Sequence, residues 1–182
     1  MILLGVTGSI AAYKAVEILR LFMKAGDDVH VVMTPAAARF VGPITFQGIS
    51  GHPVLSDPFD ASAYQMAHLA LAEQASAILV APATADTLSH LARGGAQDLV
   101  SASVLAAPRA PSGKAKIPIF IAPAMHESMW LHPATQDNVK TLKRYGYRFI
   151  GPDKGPLGRA GDAGLGRMSE PQEIVKIILG KK

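Results

Sequence analysis

Residues 1–9, Met1-Ile2-Leu3-Leu4-Gly5-Val6-Thr7-Gly8-Ser9, decide how the rest of the chain is read. Ile2 to Val6 is a short apolar run. Gly5 and Gly8 let the backbone turn tightly, and a helical stretch follows from Ile10 to Lys24. Within it Ala11, Ala15, Ile18, Leu19 and Phe22 recur at helical spacing, and Gly26 stands where glycine commonly ends a helix. Ser9 can cap the helix start. The first N–H groups of the helix and its dipole then face an anion beyond the strand end. The alternative is a plain strand-to-helix turn with no ligand.

Outward from this loop the pattern alternates strand and helix. Further β-rich runs are Val29 to Met33, Ile78 to Ala81, Ile117 to Ala122 and Tyr147 to Ile150. They are continuously apolar, which suits strands buried on both faces of a parallel sheet. Helical segments are expected over Thr84 to Ala92, Asp98 to Leu105, Pro133 to Tyr145 and Pro171 to Leu179, with Ser169 and Glu170 as a start signal for the last. The pattern implies a single α/β domain over residues 1–182, a doubly wound (Rossmann or flavodoxin-like) parallel sheet with helices on both faces. Ligands in such folds sit beyond the carboxyl ends of the strands. The strand-end segments here are Gly8-Ser9, Thr34-Pro35, Pro82-Ala83-Thr84 and Pro123-Ala124-Met125-His126. Pro108 to Lys116 and the glycine-rich Gly151 to Arg167 read as mobile loops, the second as a lid.

Composition narrows the chemistry. The chain has no cysteine, so it carries no disulfide, thiolate ligand or cysteine nucleophile of its own. Its net charge of +4 is dispersed, with no basic run beyond the terminal Lys181-Lys182, which argues against nucleic acid and suits an anionic substrate. No apolar run approaches the roughly 20 residues of a membrane span, and no signal-peptide pattern opens the chain. A cytoplasmic protein is therefore expected. The first loop is not a P-loop, because Gly-Lys-Ser/Thr is missing. A dinucleotide site would place an acidic residue at the end of the second strand. Met33-Thr34-Pro35 stands there instead, and the Thr34 hydroxyl suits a phosphate or ribityl chain.

Among the histidines, His68 precedes the third strand by one short helix and can transfer protons near neutrality. His126 lies at a ligand-facing strand end. His30 reads as strand packing, His52 and His90 as loop and helix-surface residues, and His132 as structural. No His/Asp/Glu grouping has metal-ligand spacing, so no metal is expected. Met125, Met129 and Trp130 read either as core or as an apolar wall for a flat ring.

Four segments occur in order: Gly5-Val6-Thr7-Gly8-Ser9-Ile10-Ala11-Ala12-Tyr13-Lys14, Pro82-Ala83-Thr84-Ala85-Asp86-Thr87, Pro123-Ala124-Met125-His126-Glu127-Ser128-Met129-Trp130 and Gly161-Asp162-Ala163-Gly164-Leu165-Gly166-Arg167-Met168. Over nearly the whole chain they resemble the homo-oligomeric flavin-containing cysteine decarboxylases, most closely the branch that acts on phosphopantothenoylcysteine in coenzyme A synthesis. The resemblance implies FMN, with Gly8, Ser9, Ile10 and Thr34 at its phosphate and ribityl end. Thr84, Ala85, Asp86 and Thr87 would meet the ring region, Ala124 would lie against it, and Ser101 is a further contact. It implies His68 as the catalytic histidine and His126, Met129 and Arg167 as substrate-binding residues. It also implies a trimer, alone or built into a dodecamer, and a phosphopantothenoylcysteine synthetase, fused or separate, as partner.

Three positions depart from the family pattern. His126 and Asp86 each replace an asparagine, and Ala160 stands where the clamp has its proton-donating cysteine. Without that acid, the reaction either finds another donor or stops at an enethiol, as in peptidyl-cysteine decarboxylases. A flavin-binding regulatory subunit without catalysis is the third reading.

Overall fold

The computed structural model describes residues 1–57 and 67–180. Gln65-Met66, which lead into His68, and the terminal Lys181-Lys182 lie outside them. Five parallel strands form the central sheet: β1 (Ile2–Val6), β2 (Val29–Met33), β3 (Ala77–Ala83), β4 (Ile119–Pro123) and β5 (Arg148–Phe149), in the order β2-β1-β3-β4-β5. Strand order reverses between β1 and β3, the position where doubly wound folds open a crevice.

Alternation along β1 explains the layers. Ile2, Leu4 and Val6 point to one face, where α1 (Ala12–Lys24), α2 (Pro43–Ser50) and α8 (Pro171–Ile178) bury Ile18, Leu19, Phe22, Phe46 and Ile174. Leu3 points to the other face, with Leu88, Leu91, Val104, Val139 and Leu142 from α4 (Ala85–Arg93), α5 (Leu99–Ala106) and α7 (Pro133–Arg144). A Cβ on Gly5 would come within 2.8 Å of Val100 Cγ1, so its glycine lets α5 lie close on β1. α3 (Ala67–Gln74) packs beside α5. Among the described residues, no helix is long and apolar enough to cross a membrane.

The fold class stands as expected, with local corrections. β3 runs through Pro82 to Ala83, and its register with β4 shifts between Val80 and Ala83. The α1 helix starts at Ala12, two residues later than its apolar spacing implies, because Ser9 to Ala11 form a turn. The α2 helix was not expected: its buried face is reduced to Phe46, which leaves little periodic signal. The largest correction concerns Gly151 to Arg167. It is an antiparallel hairpin of β6 (Asp153–Pro156) and β7 (Ala163–Arg167), not a structureless lid. Glycines remove the apolar alternation that marks a strand, and the hairpin takes its support from a neighbouring loop.

Candidate functional site

Two cavities of similar size open at the carboxyl ends of the strands. The first, about 680 Å³, is lined by the loops after β1, β2, β3 and β4 and by the start of α4. The second, about 650 Å³, lies between α1 and the β6–β7 hairpin. Ser9, Ala124 and Met125 line both, so the two cavities adjoin at the loops after β1 and β4.

The first cavity is shaped by close backbone approach. A Cβ on Gly8 would meet Ala36 Cβ at 2.6 Å, so a side chain there would push the loops after β1 and β2 apart. Ser9 Oγ accepts from the Ala11 N–H at 3.2 Å, and the first turn of α1 carries no acidic residue. An anion at this helix start therefore meets partial positive charge and no competing carboxylate. Thr34 Oγ1 accepts from the Ala37 N–H at 3.1 Å and holds the second loop. The Thr7 hydroxyl donates to the Pro82 carbonyl at 2.7 Å and accepts from the Thr84 N–H at 3.3 Å, tying the ends of β1 and β3 together. Thr84 then caps α4 by accepting from the Thr87 N–H, an arrangement worth about 1 kcal/mol.

The expected cofactor residues divide as follows. Gly8, Ser9, Thr34, Thr84, Ala85, Asp86, Thr87 and Ala124 all line the first cavity. Ile10 lines the second cavity instead and is exposed, because the turn before α1 swings it outward. Ser101 lines neither cavity. It is fully buried in the capping box of α5, where its N–H donates to Asp98 Oδ1 at 2.8 Å and its hydroxyl to the Asp98 carbonyl at 3.1 Å. Asp98 and Gln97 line the cavity in its place. Sequence reading also missed Thr7, Pro35, Ala36 and His90 as lining residues. Thr7 could have been found, since it lies inside the opening loop.

Of the expected substrate residues, His126 and Arg167 line the second cavity, and Met129 lines the first. The hairpin is docked on the segment after β4. The Met125 N–H donates to the Gly166 carbonyl at 3.0 Å. Glu127, at the start of α6 (Glu127–Trp130), accepts from the Leu165 N–H at 2.7 Å. A Cβ on Gly164 would lie 2.8 Å from the Glu127 carboxyl carbon, and one on Gly166 would run into the Met125 carbonyl. His126 Nε2 lies 3.6 Å from Asp162 Oδ2 at the hairpin tip, and its Nδ1 lies 2.8 Å from Ser128 Oγ. At the hairpin base, Lys14 Nζ lies 3.1 Å and Arg167 NH1 3.0 Å from Glu170 Oε1.

His68 sits on the first turn of α3, half-buried, and lines neither cavity of its own chain. His132 caps α7 by accepting from the Ala134 N–H. At the opposite end of the sheet, His30 and His52 stack with ring centroids 3.9 Å apart and planes 18° from parallel. Asp28 reaches both, at 3.5 Å to His30 Nε2 and 2.7 Å to His52 Nε2. These ligand atoms lie within 4.8 Å of one another, a grouping that sequence spacing did not reveal. Near-parallel rings, however, send their in-plane lone pairs along parallel lines and not toward one ion. The His52 hydrogen bond holds the Asp28 carboxyl below its usual range, and burial lowers the His30 imidazole despite Asp28 beside it.

Comparison with known proteins gives this geometry a context. The Coenzyme A biosynthesis bifunctional protein CoaBC of Haemophilus influenzae is 47% identical over 174 residues, covering 95% of this chain and 41% of that protein. CoaBC of Mycobacterium tuberculosis is 45% identical over 176 residues, covering 97% and 40%. The chain thus spans about two fifths of the length of these relatives. Among solved structures, a cysteine-to-serine mutant of PPC decarboxylase complexed with pantothenoylaminoethenethiol superposes with a TM-score of 0.83 at 28% identity, covering 98% of this chain and 95% of that one. The FMN-dependent cysteine decarboxylase SpaF superposes at 0.77 and 30% identity, covering 98% and 96%. The Flavoprotein family matches residues 1–182, and the chain belongs to that family.

Proposed function

We propose that this chain is an FMN-dependent decarboxylase that converts phosphopantothenoylcysteine to phosphopantetheine in coenzyme A biosynthesis. The observation that carries the reading is the pair of cavities that adjoin at Ser9, Ala124 and Met125. One has the shape and polarity for a phosphate-bearing flat cofactor, and the other is lined with cations for an acidic substrate. A volume of about 680 Å³ lies in the range of cofactor pockets. The acid-free start of α1 and the small side chains of Ala36, Ala85 and Ala124 suit a phosphate and a flat ring.

FMN, when bound, supplies reversible two-electron chemistry, so that a thiol can be oxidised, lose carbon dioxide beside the sulfur, and be reduced again. The protein positions and protects. The backbone and hydroxyl of Gly8 and Ser9 hold the phosphate, Thr34 the adjoining chain, and Thr84 to Thr87 with Ala124 the ring region. His126 holds the substrate carboxylate, and Arg167 supports it from β7. His68 is the catalytic base. Since it lines neither cavity of its own chain, it serves the site of a neighbouring copy in a trimer, alone or within a dodecamer. A synthetase, fused or separate, supplies the substrate, and the protein works in the cytoplasm. A second reading, in which the product remains an enethiol, is favoured by Ala160, which offers no proton at the hairpin tip.

Incubating the FMN-loaded protein with phosphopantothenoylcysteine is expected to release carbon dioxide and give phosphopantetheine by mass, while His68→Asn retains FMN and loses turnover. No carbon dioxide from the parent protein sinks the proposal. An enethiol as the sole product selects the second reading.

A further inference from the structure

Asp86 and His90 stand one turn apart on the same face of α4, and both line the first cavity. Most other polar side chains there are already engaged. The Thr7 hydroxyl ties Pro82 to Thr84, the Thr34 hydroxyl holds the Ala37 N–H, Thr84 and Thr87 meet at 3.0 Å, and Asp98 takes the Ser101 N–H. Among the described residues, no lysine or arginine lines this cavity. Asp86, His90 and Gln97 are left to meet the polar edge of a ligand.

His90 is held at its base. Its carbonyl accepts from the Gly95 N–H at 2.8 Å, and a Cβ on Gly95 would lie 3.4 Å from His90 Cβ, so the chain after α4 folds back against the side chain. Nδ1 is shut off from solvent and has no hydrogen-bond partner. The charged group beside it is the Asp86 carboxylate, with Oδ2 at 3.5 Å. That contact is longer than a formed hydrogen bond, but the Asp86 side chain is 79% exposed and free to turn. In a neutral imidazole one nitrogen donates and the other accepts, and the neighbour of one decides the role of both. A lone pair on Nδ1 would be buried against a carboxylate, whereas a proton there has an acceptor within reach. The proton therefore belongs on Nδ1. Nε2, the nitrogen that is not closed off, keeps its lone pair for the cavity.

We infer that Asp86 and His90 work as one unit on the bound cofactor: the Asp86 carboxylate takes the Nδ1–H of His90, and Nε2 accepts a hydrogen bond from the cofactor. Asp86 is the positioning residue, acting through His90. The inference rests on the FMN of the reading above. FMN offers two kinds of donor, the imide N–H of its ring and the hydroxyls of its ribityl chain. His90 follows, on one helix, the residues assigned to the ring region, so the imide N–H is the donor expected. The departure of Asp86 from the asparagine of the family pattern then has a reason. A carboxylate can only accept from Nδ1, whereas an amide presents a donor as well and leaves the tautomer open.

The test reads binding rather than turnover. FMN affinity is measured by fluorescence titration of the cofactor-free protein. His90→Leu is expected to weaken FMN about five- to tenfold, the loss of one hydrogen bond. His90→Gln, whose side-chain oxygen can accept in the same place, is expected to restore most of it. NMR of the imidazole nitrogens in the cofactor-free protein, at about pH 8.5 where an imidazole is neutral, is expected to find the His90 proton on Nδ1 in the parent and on Nε2 in Asp86→Ala. FMN methylated at the imide nitrogen should bind the parent more weakly than FMN does, with no such penalty in His90→Leu; an equal penalty in both proteins assigns the donor to a ribityl hydroxyl. Unchanged FMN affinity in His90→Leu overturns the inference. So does a His90→Gln variant as weak as His90→Leu, a proton on Nε2 in the parent, or a tautomer that Asp86→Ala does not move. Failure of the decarboxylase reading is separate, since it appears as no carbon dioxide from a parent protein that binds FMN.

Discussion

The two cavities are nearly equal in volume and differ in how their walls are held. The first is framed by strand ends, and a single threonine, Thr7, links β1 to β3 across its floor. Its shape follows from the register of the central sheet. The second depends on a hairpin outside that sheet, held by the Met125–Gly166 backbone bond, the Glu127 carboxylate and the Lys14–Glu170–Arg167 cluster. Cofactor affinity should therefore track the sheet, and substrate affinity should track a few polar contacts.

That contrast can be broken at specific residues. Gly8→Val would have the largest effect: the new side chain collides with Ala36 across the first cavity. FMN affinity should fall by at least about a hundredfold by fluorescence titration, because a backbone cradle cannot re-form around a clash. Glu127→Ala should leave FMN affinity unchanged and raise KM about tenfold. It removes a charge-assisted bond to β7, worth about 1.5 kcal/mol. If FMN is lost as well, the two cavities are not held independently.

The smallest effect lies at the far end of the sheet. His30 has a lowered folded-state pKa, chiefly through burial, and so does Asp28, chiefly through its His52 hydrogen bond. In both cases the unfolded chain binds the proton more readily. Their contribution to stability is present above the ordinary values, near 6.5 and 3.8, and is lost as pH falls through the lower folded-state values. Tm should fall modestly on acidification below about 6.5, and His30→Gln should flatten the upper part of that fall. The ratio of FMN bound per folded protein should not change over this interval.

Much of the first cavity was legible in sequence because strand ends are marked by local signals. Apolar runs end in glycine, proline or threonine, and in a parallel sheet those ends converge. Ile10 and Ser101 fall outside the lining of the first cavity, because a sequence position does not say which side of a turn a residue faces. One points outward from a turn at the start of α1, and the other spends its hydroxyl inside a capping box. The hairpin was harder. Its partner is the segment after β4, some forty residues earlier, and Glu127 reads in sequence as an ordinary solvated acid. The pairing of His126 with Asp162 and the stacking of His30 on His52 likewise join separate stretches of chain.

The shared lining at Ser9, Ala124 and Met125 has a consequence for how such an enzyme would turn over. Residues that line both cavities bring their occupants side by side, and hydride transfer needs its two carbon and nitrogen centres within about 3.5 Å of each other. The cofactor would then behave as a fixed electrode, charged and discharged within each cycle by a molecule that touches it from the hairpin side.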